Sequence, residues 1–249
     1  MIRLSVNVNK VATLRNSRGG DEPRVLDAVA VCLRAGVHGI TVHPRADGRH
    51  VVPRDVEDIA QALERRRTEV EFNIEGDPRA DLIALVQRVR PDQCTLVPVV
   101  PGEITSQAGW RSGPDTARLP AIVADLRSRG IRVSVFVDPI PEAIHLAASM
   151  GADRVELYTE PYARAFERGP AAARASFETY SAAAELAHRL GLGVNAGHDL
   201  NLDNLTIFRD LPHLDEVSIG HAIMSRALFV GLHQVVREYL TVLSGHHPA

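Results

Sequence analysis

Short apolar runs rich in Val and Ile alternate with longer helical patterns along the whole chain. Runs of about four to eight such residues are typical of buried strands. They predict eight strands, near 3–9, 39–43, 69–75, 94–97, 132–137, 154–158, 192–196 and 216–220. Apolar residues recurring at helical spacing predict helices near 24–35, 54–66, 79–89, 115–129, 141–150, 170–190, 203–210 and 222–243. Four of these helices are followed by a glycine, namely Gly36, Gly130, Gly151 and Gly191.

The repeated order of strand, helix and strand determines the predicted fold. Strands separated by helices pair in parallel through crossover connections. Eight such units favour a closed (β/α)₈ barrel, a TIM barrel, over an open doubly wound sheet. No GxGxxG follows the first strand, which argues against a dinucleotide-binding fold. The sequence therefore predicts an α/β protein with a single barrel domain over residues 1–249.

Two connections lack a clear helical pattern. Residues 98–114, after the fourth strand, contain three Pro, three Gly and the only Trp. A loop of that length in a compact domain is usually functional, and we expect a lid. Residues 159–169, after the sixth strand, are polar with two aromatic side chains and predict a second irregular loop. Both should lie at the C-terminal face of the barrel.

Composition narrows the possible partners. The hydrophobic fraction of 45% in 249 residues suffices for a large core. A net charge of -3 with scattered Arg and Glu gives no electrostatic footprint for nucleic acid or an anionic membrane.

Cys32 and Cys94 fall in apolar patterns and predict buried, inert thiols. The N-terminus has no long apolar segment and no stretch is long enough to span a bilayer, so we expect a cytoplasmic protein.

Several predicted strands end at an ionisable side chain, and in a barrel these ends converge on one mouth. The candidates are Lys10, His43, Glu75, His198 and His221, joined by Asn7, Asn9 and Arg45. Imidazoles and a carboxylate in one partly dry pocket suit proton transfer near neutral pH. Taken singly, a histidine after a strand is more often a cap or a surface group. Their joint occurrence favours an enzyme.

Lys10 is the only lysine in the chain, and every other member of the Lys and Arg total of 28 is arginine. Arg cannot lose its proton in a protein, whereas Lys can act as a compact donor or a nucleophile. A chance solvated lysine is the alternative interpretation. Its place at the end of a predicted strand favours a function.

Anion binding has more support than metal binding. The chain has no HxxH, HxH or HExxH pair at these strand ends, which favours metal-free acid/base catalysis. The small-residue turns after the seventh and eighth strands resemble the phosphate-binding loops of barrels. Arg18, Arg45 and His50 lie on earlier loops and could form a second anion site, although a solvated arginine is commoner for each alone.

Six phrases together resemble one family. They are NVNKVATLRNSRG (7–19), GITVHPRADGRH (39–50), FNIE (72–75), EIT (103–105), VNAGHDL (194–200) and IGHAIMSRA (219–227). In this order and spacing they resemble pyridoxine 5'-phosphate synthase, a barrel enzyme of vitamin B6 biosynthesis. That family condenses 3-amino-2-oxopropyl phosphate with 1-deoxy-D-xylulose 5-phosphate, giving pyridoxine 5'-phosphate, phosphate and water without a cofactor or metal. The resemblance also implies a homo-oligomer, an octamer.

The resemblance implies a role for each matching residue. His43 and Glu75 are expected to accept protons and His198 to donate one. Expected contacts to the aminoketone phosphate are Asn7, Arg18, Gly220 and His221. Expected contacts to the deoxyxylulose phosphate are Arg45, His50 and Thr105. The loop 98–114 resembles the family's closing lid.

The chain departs from the commonest family pattern at three places. It has Asn9-Lys10 where many members have Asp-His, Asp199 where Gly often follows the catalytic histidine, and Val99-Val100-Pro101 in place of a charged stretch. We expect Asn9, Lys10 and Asp199 to contact substrate, and Asp199 could pair with Lys10. These changes favour a variant subgroup with preserved activity. A phosphosugar-binding barrel without turnover and another phosphosugar isomerase or aldolase are the alternatives.

Overall fold

Eight parallel strands close into a barrel in the computed structural model, which describes residues 1–100 and 106–245. Each strand pairs with the next along the chain, and the first pairs with the eighth. The strands are β1 (Arg3–Asn7), β2 (Gly39–Val42), β3 (Glu71–Gly76), β4 (Gln93–Leu96), β5 (Arg132–Val137), β6 (Arg154–Tyr158), β7 (Gly193–Gly197) and β8 (Leu214–Ile219). The predicted (β/α)₈ barrel is confirmed.

Helices cover the outside of the barrel. Within the described ranges they are α1 (Asn9–Asn16), α2 (Val25–Ala35), α3 (Pro53–Leu63), α4 (Ala80–Val89), α5 (Leu119–Ser128), α6 (Pro141–Ser149), α7 (Glu160–Glu167), α8 (Pro170–Arg189), α9 (Leu205–Phe208), α10 (His221–Val230) and α11 (Leu232–Leu243). Short 3₁₀ turns lie at Glu64–Arg66 and Pro114–Thr116. No helix in the described part of the chain is long and apolar enough to cross a membrane.

Three predicted boundaries were wrong. The first strand ends at Asn7, and Asn9 and Lys10 instead begin helix α1, a two-turn element with few apolar residues. The segment 159–169 contains α7, where Pro161 occupies the first turn; proline favours that position because its missing N–H has no helical partner there. Gly231, with φ 86°, divides the last predicted helix into α10 and α11.

The strands alternate between an apolar outer face and a polar inner face. Outward side chains such as Leu4, Ile40, Phe72 and Val133 are fully buried against the helices and belong to the main hydrophobic core. The thiols of Cys32 and Cys94 are buried, as predicted, and burial raises the pKa of each to about 12. The apolar runs of the sequence therefore mark the layer between sheet and helices.

Polar side chains fill most of the barrel interior, apart from a small apolar cluster of Val97, Phe136 and Tyr158 near the mouth. Ser5 Oγ lies 2.7 Å from Thr41 Oγ1, and Asn73 bonds Thr41 and Thr95 at 3.4 and 3.1 Å. Toward the N-terminal ends of the strands, Arg3 lies 3.7 Å from Glu216. Most TIM barrels fill this space with layers of branched aliphatic residues. Here the interior is held by hydrogen bonds and ion pairs.

The connection after β4 is anchored at its C-terminal part. Trp110 is buried, and its Nε1 donates a 2.9 Å hydrogen bond to the Leu96 carbonyl. Gly109 packs directly on β5, because a Cβ atom there would lie 2.4 Å from the Val137 Cα. Residues 101–105, which include Pro101 and Thr105, lie outside the described residues. The lid role of this connection stays a prediction.

Candidate active site

A cavity of about 320 Å³ opens at the C-terminal mouth of the barrel. The predicted residues in its lining are Asn7, Asn9, Lys10, His43, Arg45, His50, Glu75, His198, Asp199, Gly220 and His221. Arg18 lies on the exposed turn after α1 and does not line this cavity. Thr105 falls outside the described residues. The strand ends thus converge as expected, although β1 contributes only Asn7 and the start of α1 contributes its neighbours.

Glu75, near the end of β3, lies on the cavity floor. Asn7 Nδ2 donates to its Oε2 at 3.3 Å, and Ser218 Oγ donates to its Oε1 at 3.4 Å. His43 Nδ1 lies 3.9 Å from Oε2. The side chains of His43 and Glu75 are each about one tenth exposed. The carboxyl group is therefore held by neutral donors in a largely dry environment.

Burial shifts the pKa values of Glu75 and His43 in opposite directions. It raises the pKa of Glu75 to about 8, against the Ser218 hydrogen bond, and the charge of Glu216 adds to the rise. It lowers the pKa of His43 to about 3, helped by the positive charges of His50 and Arg45. His43 Nε2 is buried without a hydrogen-bond partner among the described residues. Near neutral pH, His43 is uncharged and able to accept a proton.

Glu156 is a second buried carboxyl group in the cavity lining. Burial raises its pKa well above the usual range, and the charge of Glu75 adds to the rise. Gly197 on the neighbouring strand leaves room for it, since a Cβ there would lie 2.4 Å from Glu156 Oε1. The sequence patterns did not identify Glu156 as a site residue. Its inward place in the alternation of β6 was the signal that could have identified it.

Asn9 ties the first helix to β2. Its Oδ1 accepts a 2.8 Å hydrogen bond from the His43 backbone N–H, and its own N–H donates to Asn7 Oδ1 at 3.0 Å. Asn9 is 5% exposed, and its side-chain oxygen already accepts a hydrogen bond inside the protein. Its geometry supports positioning of His43; the expected substrate contact stays a prediction.

Lys10, in the first turn of α1, is partly exposed at the cavity edge. The expected ion pair between Lys10 and Asp199 is not formed: no described carboxylate lies within 4.0 Å of the ammonium group. Both residues line the cavity without contact, because the helical start of α1 sets the direction of Lys10 independently of β7. The ammonium group is therefore available to a ligand.

His198 follows β7 in an unusual backbone conformation. His198 and Asp199 have φ values of 78° and 54°, a region that non-glycine residues enter at a cost. The Thr159 hydroxyl lies 2.5 Å from the Gly197 carbonyl oxygen and also donates to the His198 carbonyl. The imidazole packs between Phe136 and Tyr158, with ring centroids 5.4 Å away in each case. Burial lowers the pKa of His198.

Two regions of the cavity wall suit anions. Gly220 leads into α10, whose first backbone N–H groups have no helical acceptor. A Cβ at Gly220 would lie 3.0 Å from the Asn7 Cβ and carbonyl oxygen, so glycine allows a close approach of β1 to the start of α10. On the connection after β2, burial and the charges of Lys10 and Arg45 lower the pKa of His50 to about 4. Within the described residues, no cluster of three or more His, Cys, Asp or Glu is arranged to hold a metal ion.

The model of the family described as "Pyridoxal phosphate biosynthesis protein PdxJ" matches residues 4–245. The chain belongs to the PdxJ family. It is similar to pyridoxine 5'-phosphate synthase of Porphyromonas gingivalis, with 51% identity over 96% of this chain and 98% of the relative. The synthase of Bacteroides fragilis (strain YCH46) is 52% identical over 98% of this chain and 100% of its own length.

A solved structure of phosphoribosyl anthranilate isomerase from Thermotoga maritima shares the barrel. Its TM-score is 0.61 at 11% identity, over 98% of this chain and all of that one. At that identity the likeness concerns the fold alone. The identity of the reaction depends on the PdxJ family and on the cavity.

Proposed function

We propose that the chain acts as a pyridoxine 5'-phosphate synthase. It condenses 3-amino-2-oxopropyl phosphate with 1-deoxy-D-xylulose 5-phosphate to pyridoxine 5'-phosphate, phosphate and water. The PdxJ match over residues 4–245 and relatives of that name at 51 and 52% identity support the assignment. The observation that carries it is one cavity that joins His43, Glu75 and His198 to two anion-binding walls.

The reaction requires repeated proton transfers, and the cavity provides groups for them. Imine formation, proton abstraction, phosphate elimination, water addition and ring closure each move a proton. His43 is uncharged near neutral pH and its Nε2 has no hydrogen-bond partner among the described residues, so this nitrogen serves as a proton acceptor. Glu75, with its pKa raised to about 8, both holds and releases a proton near neutral pH. His198 serves as the proton donor, and the charges of Asp199 and Glu160 favour its protonated form against the effect of burial.

We assign the two phosphates to two neighbouring regions of the cavity wall, at the ends of β8 and β2 on either side of β1. Asn7, Gly220 and His221 hold the aminoketone phosphate at the start of α10. Arg45 and His50 hold the deoxyxylulose phosphate on the connection after β2, and Lys10 lies between these regions as a compact cation. The predicted contact of Arg18 requires the α1–α2 turn to approach the cavity, and the contact of Thr105 stays a prediction. Asp199 completes the mouth beside His198.

Glu156 stabilises positive charge that develops during ring closure. A protonated imine carries that charge on nitrogen, and a buried carboxyl group that can ionise offsets it. Glu156 and Glu75 line the same cavity and influence each other's charge. A cationic intermediate would therefore favour loss of a proton from one of these two carboxyl groups.

We also propose that the chain forms a homo-oligomer, an octamer as the family resemblance implies. Leu228 and Phe229 on α10 are 74% and 88% exposed, beside an apolar groove lined by Leu14. Lys10 and His221 line both this groove and the cavity, so a partner subunit would lie against the site. Sedimentation of the wild type and of Phe229→Asp tests this assembly. A smaller species for the variant supports it, and a monomeric wild type contradicts it.

A coupled two-substrate assay tests the synthase activity. Purified protein is given both phosphorylated substrates, and released phosphate and pyridoxine 5'-phosphate are quantified by mass spectrometry. Formation of both products, and their loss in Glu75→Gln, supports the proposal. Binding of substrates without products would indicate a phosphosugar-binding barrel. An imine to Lys10 trapped by borohydride would indicate another class of barrel enzyme.

A further inference from the structure

The end of helix α1 contacts the connection between β2 and α3. Asn16 Nδ2 lies 3.1, 3.2 and 2.9 Å from the carbonyl oxygens of Gly48, Arg49 and His50. Three consecutive carbonyl groups thus converge on one amide nitrogen. The same connection carries Arg45 and His50, which line the cavity.

Arg15 determines which way the Asn16 amide faces. Its Nε donates a 3.1 Å hydrogen bond to Asn16 Oδ1, which leaves the NH₂ group directed at the connection. The two terminal nitrogens of Arg15 bind both oxygens of Asp55 at 2.6 and 2.9 Å. Asp55 Oδ2 also accepts the Val52 backbone N–H at 2.8 Å. The connection is therefore held at its turn by Asn16 and at the start of α3 by Asp55.

The held segment presents groups that suit an anion. The Gly48 N–H donates to the Arg45 carbonyl at 3.0 Å, which forms a turn between the two cavity residues Arg45 and His50. His50 Nδ1 is buried and has no hydrogen-bond partner in the described part of the chain. A turn of this kind would be mobile without restraint, and each binding event would then have to order it. The Asn16 amide provides that order in advance.

We propose that Asn16, oriented by Arg15, is a positioning residue for the anion-binding turn 45–50. It acts through the backbone of that turn and does not touch substrate. The inference rests on the proposed function, which assigns the deoxyxylulose phosphate to Arg45 and His50. Its effect should fall on that substrate and leave the aminoketone phosphate, assigned to the separate region at the start of α10, nearly unaffected.

The test compares Asn16→Ala and Asn16→Asp with Ser17→Ala in the full chain. Ser17 is the next residue and exposed, and its hydroxyl bonds only the Leu14 carbonyl of its own helix at 2.7 Å. We expect KM for 1-deoxy-D-xylulose 5-phosphate to rise about tenfold in Asn16→Ala, which equals the loss of one to two net hydrogen bonds. Asn16→Asp should be worse, since its carboxylate faces three carbonyl oxygens. KM for the aminoketone phosphate and the melting temperature should stay near the wild-type and Ser17→Ala values.

Calorimetric binding of 1-deoxy-D-xylulose 5-phosphate alone separates this inference from the proposed function. A wild type that makes product, with Asn16 variants that keep its KM, would overturn the positioning role only. Equal increases of KM for both substrates would overturn it as well. A wild type that binds the sugar phosphate without turnover would overturn the proposed function, while weaker binding by the Asn16 variants would still support the positioning role. A wild type that does not bind this substrate would overturn both.

Discussion

His43 Nδ1 lies 3.9 Å from Glu75 Oε2, yet the two groups do not form an ion pair near neutral pH. The pKa of His43 falls to about 3 and that of Glu75 rises to about 8, mainly because both are buried. The proton therefore resides on the carboxyl group, next to an imidazole that is free to take one. In this state, the neutral His43 imidazole can accept a proton from substrate without first having to release a proton to solvent.

Glu75→Gln should abolish product formation while leaving the barrel folded. The amide has the shape of the protonated carboxyl group but cannot exchange a proton. We expect a decrease in kcat of about 10²- to 10⁴-fold, the usual contribution of a general acid or base. Product formation is measured by mass spectrometry, and circular dichroism checks the fold. Turnover near the wild-type rate would disprove the role of Glu75.

The same substitution should change how stability depends on pH. The pKa of Glu75 is raised from 4.5 to about 8 in the folded protein, so between these values only the unfolded state loses the proton. Its stabilising contribution is full below about pH 4.5 and is lost as the pH rises through about 8. Glu75→Gln keeps the neutral form at every pH. Relative to wild type, its melting temperature should therefore increase from pH 5 to pH 8.5.

Thermal melts of the exposed-site variant Glu178→Gln provide the control for this pH comparison. The lowered pKa of His43 affects stability in a different pH range. Its stabilising contribution is present above pH 6.5 and is lost as the pH falls toward about 3. Above pH 7 the comparison therefore reports on Glu75 and on the neighbouring carboxyl group of Glu156, without a contribution from His43. An unchanged difference between wild type and Glu75→Gln across this range would contradict its burial as a protonated acid.

Lys10→Arg should reduce kcat/KM more than tenfold, by analogy with other sites where a compact ammonium is replaced by a larger planar cation. Lys10 forms no ion pair with the described residues, so the melting temperature should not change. Steady-state kinetics with each substrate varied in turn measure the effect. Near-normal kinetics would show that Lys10 supplies positive charge and nothing more specific.

Thr159→Val should lower kcat with little change in either KM. The substitution preserves shape but removes the hydroxyl that bonds the carbonyls of Gly197 and His198. His198 would then lose support for its left-handed backbone, and we expect about 1–3 kcal/mol lower stability as well. Thr159→Ser retains the hydroxyl and should restore most of kcat. Equal defects in the Val and Ser variants would indicate a packing role alone.

Gly197→Ala should displace the Glu156 carboxyl group. The added Cβ would lie 2.4 Å from Glu156 Oε1 and 3.1 Å from the Ser218 carbonyl oxygen. We expect a large loss of activity together with about 1–3 kcal/mol of stability, the usual cost of overpacking. Gly20→Ala is the matched control, since a Cβ there meets nothing within 4 Å. Full activity of Gly197→Ala would exclude a fixed role for Glu156.

The alternation of strands and helices predicted the barrel because each element has a local sequence pattern, and strands joined by helices pair in parallel through crossover connections. Helix α7 was missed because its segment is polar and gave no clear helical pattern, although Pro161 occupies a first turn that tolerates proline. Helix α1 was missed because its few apolar residues give a weak period. Both errors concern short helices whose stability depends on tertiary packing.

The convergence of the candidate side chains was predictable, but their partners were not. Asn9 bonds the backbone of His43, 34 positions away, and no local pattern indicates that contact. The expected Lys10–Asp199 pair was wrong because strand order does not determine where a side chain points. Glu156 was missed as a site residue because it sits within an apolar run, where only the inward alternation distinguishes it.

In this barrel, the residues that stabilise the fold are separate from the residues that form the cavity floor. Hydrophobic stabilisation comes from the layer between strands and helices, whereas Ser5, Thr41 and Asn73 form a hydrogen-bonded column beneath the cavity. Substitutions at inward positions can therefore alter the acidity and shape of the cavity floor without opening a void in the apolar layer. A library that varies only inward-facing positions should yield many folded proteins with changed chemistry.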